Sequence, residues 1–126
     1  MTQPLSVQLY TVRDALAADL PGTLQRIADI GYTNVEAFGF VDRAEALRDA
    51  LAAAGLQSPS GHARLLDTGE QDLDQIFHAS VTVGLSTLID PHIDDARWTT
   101  REDVEAIARE LSSCASPASD PALALR

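Results

Sequence analysis

The chain has 126 residues, 45% of them hydrophobic, with 19 acidic against 9 basic residues and a formal charge of −10, which fits one domain with enough apolar content for a core. That balance, with Arg13, Arg26, Arg43, Arg48 and Arg64 scattered, argues against a nucleic-acid partner, because binding a polyanion needs net positive surface. No stretch approaches the roughly 20 apolar residues of a membrane span, the start Met1-Thr2-Gln3-Pro4-Leu5-Ser6 has no leader pattern, and Cys114 is the single cysteine, so a soluble protein of the reducing cytoplasm is expected.

Residues 6–12 predict a strand: Val7, Leu9, Tyr10 and Val12 form a nearly continuous apolar run with Gln8 as its polar intruder, as in a parallel-sheet strand covered on both faces. The spacing then predicts a helix capped by Asp19, with Pro21 in its first turn, Leu20, Leu24, Ile27 and Ala28 on one stripe, and Gly31 closing it. Asn34 to Phe38 is the second strand, with Glu36 within it. A second helix follows, with Asp42 as cap and Glu45 three residues on, and runs through Ala44, Leu47, Leu51 and Ala54 to Gly55.

The third strand is assigned to Leu56–Ala63 by its place in the repeat, because Pro59 and Gly61 are unusual in a central strand. A helix beginning near Gly69 or Glu70 turns Leu73, Ile76 and Phe77 inward and ends at Gly84, with His78 at its surface or at the core's edge. Leu85 to Ile89 forms the fourth strand, stopped by Asp90-Pro91-His92. The last helix is capped by Thr99 with Glu102 three on, and carries Val104, Ile107, Ala108 and Leu111 inward, with Trp98 packing near its start. Residues 112–126, rich in Ser, Ala and Pro, are expected to be disordered or irregular.

Four βα units predict an α/β protein with a parallel sheet, either doubly wound or part of a (β/α)8 barrel. No Gly-x-Gly-x-x-Gly and no phosphate loop follows a strand, which disfavours a dinucleotide fold.

The runs Ser6-Val7-Gln8-Leu9-Tyr10-Thr11-Val12-Arg13-Asp14, Leu24 through Ile30-Gly31-Tyr32, Val35-Glu36, Gly61-His62 and Asp90-Pro91-His92 resemble the opening of the xylose isomerase-like barrel superfamily, in its sugar phosphate isomerase/epimerase branch. The resemblance covers roughly residues 5–111 and implies that residues 1–111 form the N-terminal half of a TIM barrel. It implies a metal-assisted proton or hydride shift next to a sugar carbonyl, with a divalent metal (Mn2+, Mg2+ or Zn2+) whose main ligands lie in the other half and have no counterpart here. Low or no activity is expected of this chain alone, with a frameshift, an early end or a fragment as the reason.

The resemblance makes Glu36 and His62 the candidate catalytic residues: Glu36 as acid, base or hydroxyl ligand, His62 as orienting group or proton relay. The bland readings are a solvated carboxylate paired with an arginine and an ordinary loop histidine. Gln8, Tyr10 and His92 are the candidate substrate contacts. Alternation along one strand sends Gln8 and Tyr10 to the same face, although Tyr10 equally suits a core aromatic. Asp90, His92 and His62 suggest a metal cluster of the kind seen in the endonuclease IV branch, if the three converge. The competing function is a non-catalytic half-barrel, a homodimer closing the barrel or a remnant, since four strands leave two open edges and an inner face whose apolar groups favour association.

Overall fold

A computed structural model describes residues 4–115. The strands are β1 (Ser6–Gln8), β2 (Asn34–Phe38), β3 (Gln57–His62) and β4 (Thr87–Ile89). The helices are α1 (Arg13–Ala18), α2 (Leu20–Ile30), α3 (Ala44–Ala54), α4 (Glu70–Val83) and α5 (Arg101–Ala115). All strand pairs are parallel and the sheet order is β1-β2-β3-β4. A doubly wound sheet reverses its strand order at a switch point, whereas a barrel adds each strand beside the last. The sequential order here is that of a barrel's first four strands.

One face of the sheet carries Val35, Ala37, Gly61 and Leu88, all buried, and the helices pack on it. Their inward residues, among them Leu24, Ile27, Leu47, Leu51, Ile76 and Phe77, join Leu9, Leu16 and Phe40 in one core. The other face carries Gln8, Asn34, Glu36, Ser60, His62 and Thr87, half-buried, with Phe38 and Ile89 as its apolar members. The strands are therefore not covered on both faces, and the face the helices leave open is mainly polar rather than apolar. Alternation of side chains along each strand produces this division.

Several local expectations are met. Asp19 accepts from the backbone N–H of Gly22 at 3.0 Å and caps α2. Gly31 and Gly55 close α2 and α3 at φ of 119° and 71°, the left-handed conformation that glycine adopts without steric cost. In both, the next two N–H groups return to carbonyls of the last turn, which satisfies acceptors that the helix end leaves free.

Other elements differ from expectation for identifiable reasons. The first strand stops at Gln8 because the Gln8 side chain accepts from the N–H of Tyr10 at 3.1 Å and caps a 3-10 turn over Leu9–Val12. Tyr10 is thus not on a strand, and α1 follows directly. Asp42 does not cap the next helix: a 3-10 turn over Val41–Arg43 intervenes and α3 starts without a side-chain cap. The capping box of α5 lies one residue later than the Thr99/Glu102 spacing suggests. Thr100 Oγ accepts from the N–H of Asp103 at 3.1 Å while Asp103 Oδ2 accepts from Thr100 at 3.0 Å and from both Thr99 groups, which holds the Asp103 carboxyl below its usual range. Trp98 is exposed rather than packed.

The last helix passes Leu111 and continues to Ala115, because Cys114 lies seven residues after the buried Ile107 and is itself buried, so the apolar stripe runs through the serine pair. Residues 116–126 of the tail assigned to 112–126 lie outside the described residues.

Pro59 sits inside β3 because the strand bulges there. Asn34 pairs with Gln57 but Glu36 pairs with Ser60, so three steps of β3 oppose two of β2. A bulge is where a strand tolerates a residue without an N–H. The buried Ser58 hydroxyl bridges the gap, accepting from the N–H of Ala37 at 3.1 Å and donating to the carbonyl of Ser60 at 2.9 Å. Gly61, on the helix side, leaves room for Phe40 and Leu85: a Cβ there would stand 2.6 Å from Leu85 Cδ1 and 3.3 Å from Phe40 Cε1.

An ion-pair clasp ties the β3–α4 loop to α5. Arg97 donates to Asp67 Oδ2 and to Glu110 Oε2, each at 2.8 Å, and Glu110 Oε1 accepts the N–H of Asp67 at 2.8 Å. Asp67 has a φ of 58°, a left-handed conformation uncommon outside glycine, and the clasp holds it. The Asp67 N–H and the Arg97 guanidinium hold the Glu110 carboxyl below its usual range.

Two outcomes follow for stability. Ser58→Ala leaves the Ala37 N–H without that buried acceptor and lowers the unfolding free energy by about 1–3 kcal/mol, whereas Ser86→Ala at an exposed hydroxyl changes it by no more than about 0.5 kcal/mol. Equal effects in urea unfolding would refute the bulge account. For Glu110, a folded pKa below the unfolded value means that the stabilisation is present above about pH 4.3 and is lost as pH falls through the lower folded value. Glu110→Gln therefore loses stability less steeply than the parent between about pH 5 and 3, read from unfolding midpoints at each pH, and parallel curves would contradict it.

Candidate functional site

The polar face of the sheet gathers its chemistry at the downstream strand ends. Register places Gln8 beside Glu36, Glu36 beside Ser60, and Phe38 beside His62, and alternation points Gln8, Glu36, Ser60 and His62 to the same side. The Glu36 carboxylate is their meeting point. Its Oε1 accepts from Gln8 Nε2 at 2.5 Å and lies 2.9 Å from His62 Nε2. Its Oε2 accepts from Ser60 Oγ at 2.5 Å. The Glu36 and His62 side chains are 20% and 25% exposed, so the pair is sheltered but reachable from one side.

In front of this network lies a concave pocket of about 800 Å³ whose lining includes Gln8, Tyr10, Phe38, His62, Leu66, Ile76, His92 and Arg97. Its size is in the range of small-molecule sites. Apolar walls and a few convergent polar groups are the usual composition of such sites. Tyr10 reaches the wall from the 3-10 turn and meets the Phe38 ring edge-to-face, with centroids 5.3 Å apart. The Arg13 guanidinium lies 4.3 Å from the Tyr10 ring centre, and the Arg43 guanidinium 5.6 Å from that of Phe38, distances at which a cation is attracted to an aromatic face.

Of the five residues singled out from the sequence, Gln8, Glu36 and His62 come together. Tyr10 and His92 line the pocket apart from that cluster. His92 is exposed and turns toward Asp94, with Nε2 3.5 Å from Oδ1. Asp90 is engaged elsewhere: its Oδ2 accepts from the N–H groups of Leu65 and Leu66, each at 3.0 Å. The cluster of Asp90, His92 and His62 is therefore not formed, since one member anchors a loop and another points to the rim. Ser60 was not identified from the sequence, although its position two before His62 on one strand face places it beside Glu36.

The described residues contain no group of three or more His, Cys, Asp or Glu side chains arranged to hold a metal. Glu36 and His62 are the pair that meets, and both Glu36 oxygens already accept hydrogen bonds. A divalent cation needs three or more convergent ligands, so these four strands do not fit one by themselves. No helix among the described residues is long and apolar enough to cross a membrane.

No family model matches the sequence, and no curated protein matches it. Solved structures do. A sugar phosphate isomerase/epimerase from Parabacteroides distasonis ATCC 8503 superposes with a TM-score of 0.78 at 18% identity, over 99% of this chain and 50% of that one. A second sugar phosphate isomerase/epimerase from the same organism gives 0.65 at 16% identity, over 98% of this chain and 54% of that one. The chain spans about half the length of these structures, and its α/β fold is that of the first half of a TIM barrel.

Proposed function

We propose that these four βα units carry part of the site of a sugar or sugar phosphate isomerase/epimerase, in which Glu36 and His62 handle a proton next to the substrate carbonyl. The observation that carries this reading is the 2.9 Å contact between His62 Nε2 and Glu36 Oε1 at the edge of the pocket. The matched structures are called sugar phosphate isomerase/epimerases, which supports the substrate class. Moving a hydrogen between a carbinol carbon and a neighbouring carbonyl requires a group that takes the proton from carbon and returns it. An imidazole backed by a carboxylate is suited to that work.

Tyr10 and Phe38 supply an apolar wall for a sugar ring, and His92 at the rim is placed to meet a hydroxyl or phosphate. Gln8 is committed to Tyr10, Glu36 and His62, so it orders the site rather than holding a hydroxyl. The divalent cation implied by the resemblance takes its ligands from outside these strands, and no proton step here is routed through it. Turnover by this chain alone is correspondingly low. A reducing cytoplasmic setting belongs to the same reading, in keeping with its one buried thiol.

A second reading rests on the edges of the sheet. β1 and β4 each pair on one side only among the described residues, and two copies joined edge to edge would make a non-catalytic closed dimer. Light scattering at micromolar concentration separates a monomer from that dimer.

The test of the first reading is ligand-observed NMR with a panel of aldoses, ketoses and their phosphates. We expect saturation transfer to at least one ketose or ketose phosphate, and slow deuterium uptake from D2O at the carbon beside its carbonyl. His62→Ala and Glu36→Gln lower that uptake by tenfold or more while the chain stays folded. Absence of transfer to every sugar, or uptake unaffected by both substitutions, would overturn the reading.

A further inference from the structure

We propose that Arg13 and Arg43 are positioning residues, each holding one aromatic ring of the pocket wall, Tyr10 and Phe38 respectively, in the orientation that a sugar ring meets. Tyr10 is 53% exposed, and an exposed side chain moves among its rotamers unless some contact offsets the entropy of fixing it. Its place on the wall therefore needs a holder. The local backbone supplies one. In a 3-10 turn, residues three apart stand one above the other, and the turn over Leu9–Val12 brings Arg13 to Tyr10, with the Arg13 backbone N–H donating to the Tyr10 carbonyl. Arg13 Nη1 donates to that same carbonyl at 3.0 Å, and the guanidinium lies 4.3 Å from the ring centre.

Phe38 is held in the same manner by a different route. Arg43 stands just before α3, and its side chain runs back to the end of β2, where Nε donates to the Gly39 carbonyl at 3.2 Å and Nη2 to the Phe38 carbonyl at 3.4 Å. Its guanidinium is 5.6 Å from the centre of the Phe38 ring. The two rings meet edge-to-face at 5.3 Å, so each is restrained by the other and by its own arginine. Both rings line the pocket and neither arginine does, which leaves the cations outside the cavity. Among the described residues neither arginine pairs with a carboxylate, although the chain has 19 acidic residues. Their charge is left for the rings and the backbone carbonyls.

This deepens the proposed function and rests on it for the identity of the ligand. A sugar turns a C–H face to an aromatic ring and its hydroxyls to polar groups. A wall fixed beforehand spares the binding step the entropy of ordering it. Loss of either arginine therefore weakens binding of the sugar more than it slows proton transfer at Glu36 and His62.

The experiment reads the ring orientations directly. Three-bond NMR couplings across the Cα–Cβ bonds of Tyr10 and Phe38 give their χ1 rotamer populations in the chain without sugar, and the proposal requires one dominant rotamer for each. Arg13→Leu removes cation and donor together, and the preference at Tyr10 falls by roughly two- to fivefold. Arg43→Leu does the same at Phe38. Arg13→Lys keeps the cation and retains more of the preference than Arg13→Leu, whereas Arg101→Leu, at an exposed side chain paired with Glu105, leaves both rings as in the parent. The variants of one arginine suffice if those of the other do not fold, as judged by amide dispersion. Averaged rotamers in the parent overturn the proposal, as do populations unchanged in a folded Arg13→Leu or Arg43→Leu chain, or equal losses in Arg13→Lys and Arg13→Leu. With a ketose that binds the parent, Arg13→Leu raises the dissociation constant by a similar factor, and an unchanged affinity overturns the proposal as well. No sugar enters the first measurement, so its failure is distinct from a failure of every sugar to bind, which counts against the proposed function instead.

Discussion

The division of the sheet into two unlike faces is the constraint on which the rest of the structure depends. A strand slipped by one residue would turn its apolar side chains to the polar face and its polar ones to the core. Here Val35, Ala37, Gly61 and Leu88 fall on the helix side, and Glu36, Ser60, His62 and Thr87 fall on the other. The helix side supplies the driving force for folding through one apolar core. The opposite side is released from that duty and can hold a carboxylate, an imidazole and an amide at hydrogen-bonding distance.

The units most readable from sequence were those in which a local signal and the repeat agreed. Asp19, Pro21 and Gly31 bracket α2 as their chemistry dictates, and Asn34 to Phe38 is a strand of the expected extent. Reading failed where a side chain outcompeted propensity. Gln8 caps a 3-10 turn and ends β1 inside a run of good strand formers, and Asp103 rather than Glu102 reaches back to the start of α5. The third strand stands where the repeat places it, while the bulge that accommodates Pro59 depends on Ser58 meeting Ala37 across the sheet, a contact between residues 21 apart in sequence. Cys114 extended α5 through a serine pair that looked like a terminus.

The same limit applies to the site. Gln8, Glu36 and His62 could be singled out by their places at strand ends, but their convergence needed the register of three strands. Ser60 was visible only through that register. Asp90 and His92 carried the right atoms for a metal and lie near a strand end, yet Asp90 is consumed by two backbone N–H groups of the β3–α4 loop. Residue type and position in a repeat suggest candidates, and hydrogen-bond capacity decides among them. The chain spans about half the length of the sugar phosphate isomerase/epimerase structures it matches.

The division between the faces is tested most directly at two adjacent residues of β2. Val35 is fully buried on the helix side and Glu36 is half-buried on the other. Comparing the urea unfolding free energies of Val35→Ala and Glu36→Ala isolates the two roles. The account predicts a loss of about 2 kcal/mol for Val35→Ala and less than about 1 kcal/mol for Glu36→Ala, whose orphaned partners regain water. A Glu36→Ala chain that unfolds while Val35→Ala is nearly unaffected would contradict it.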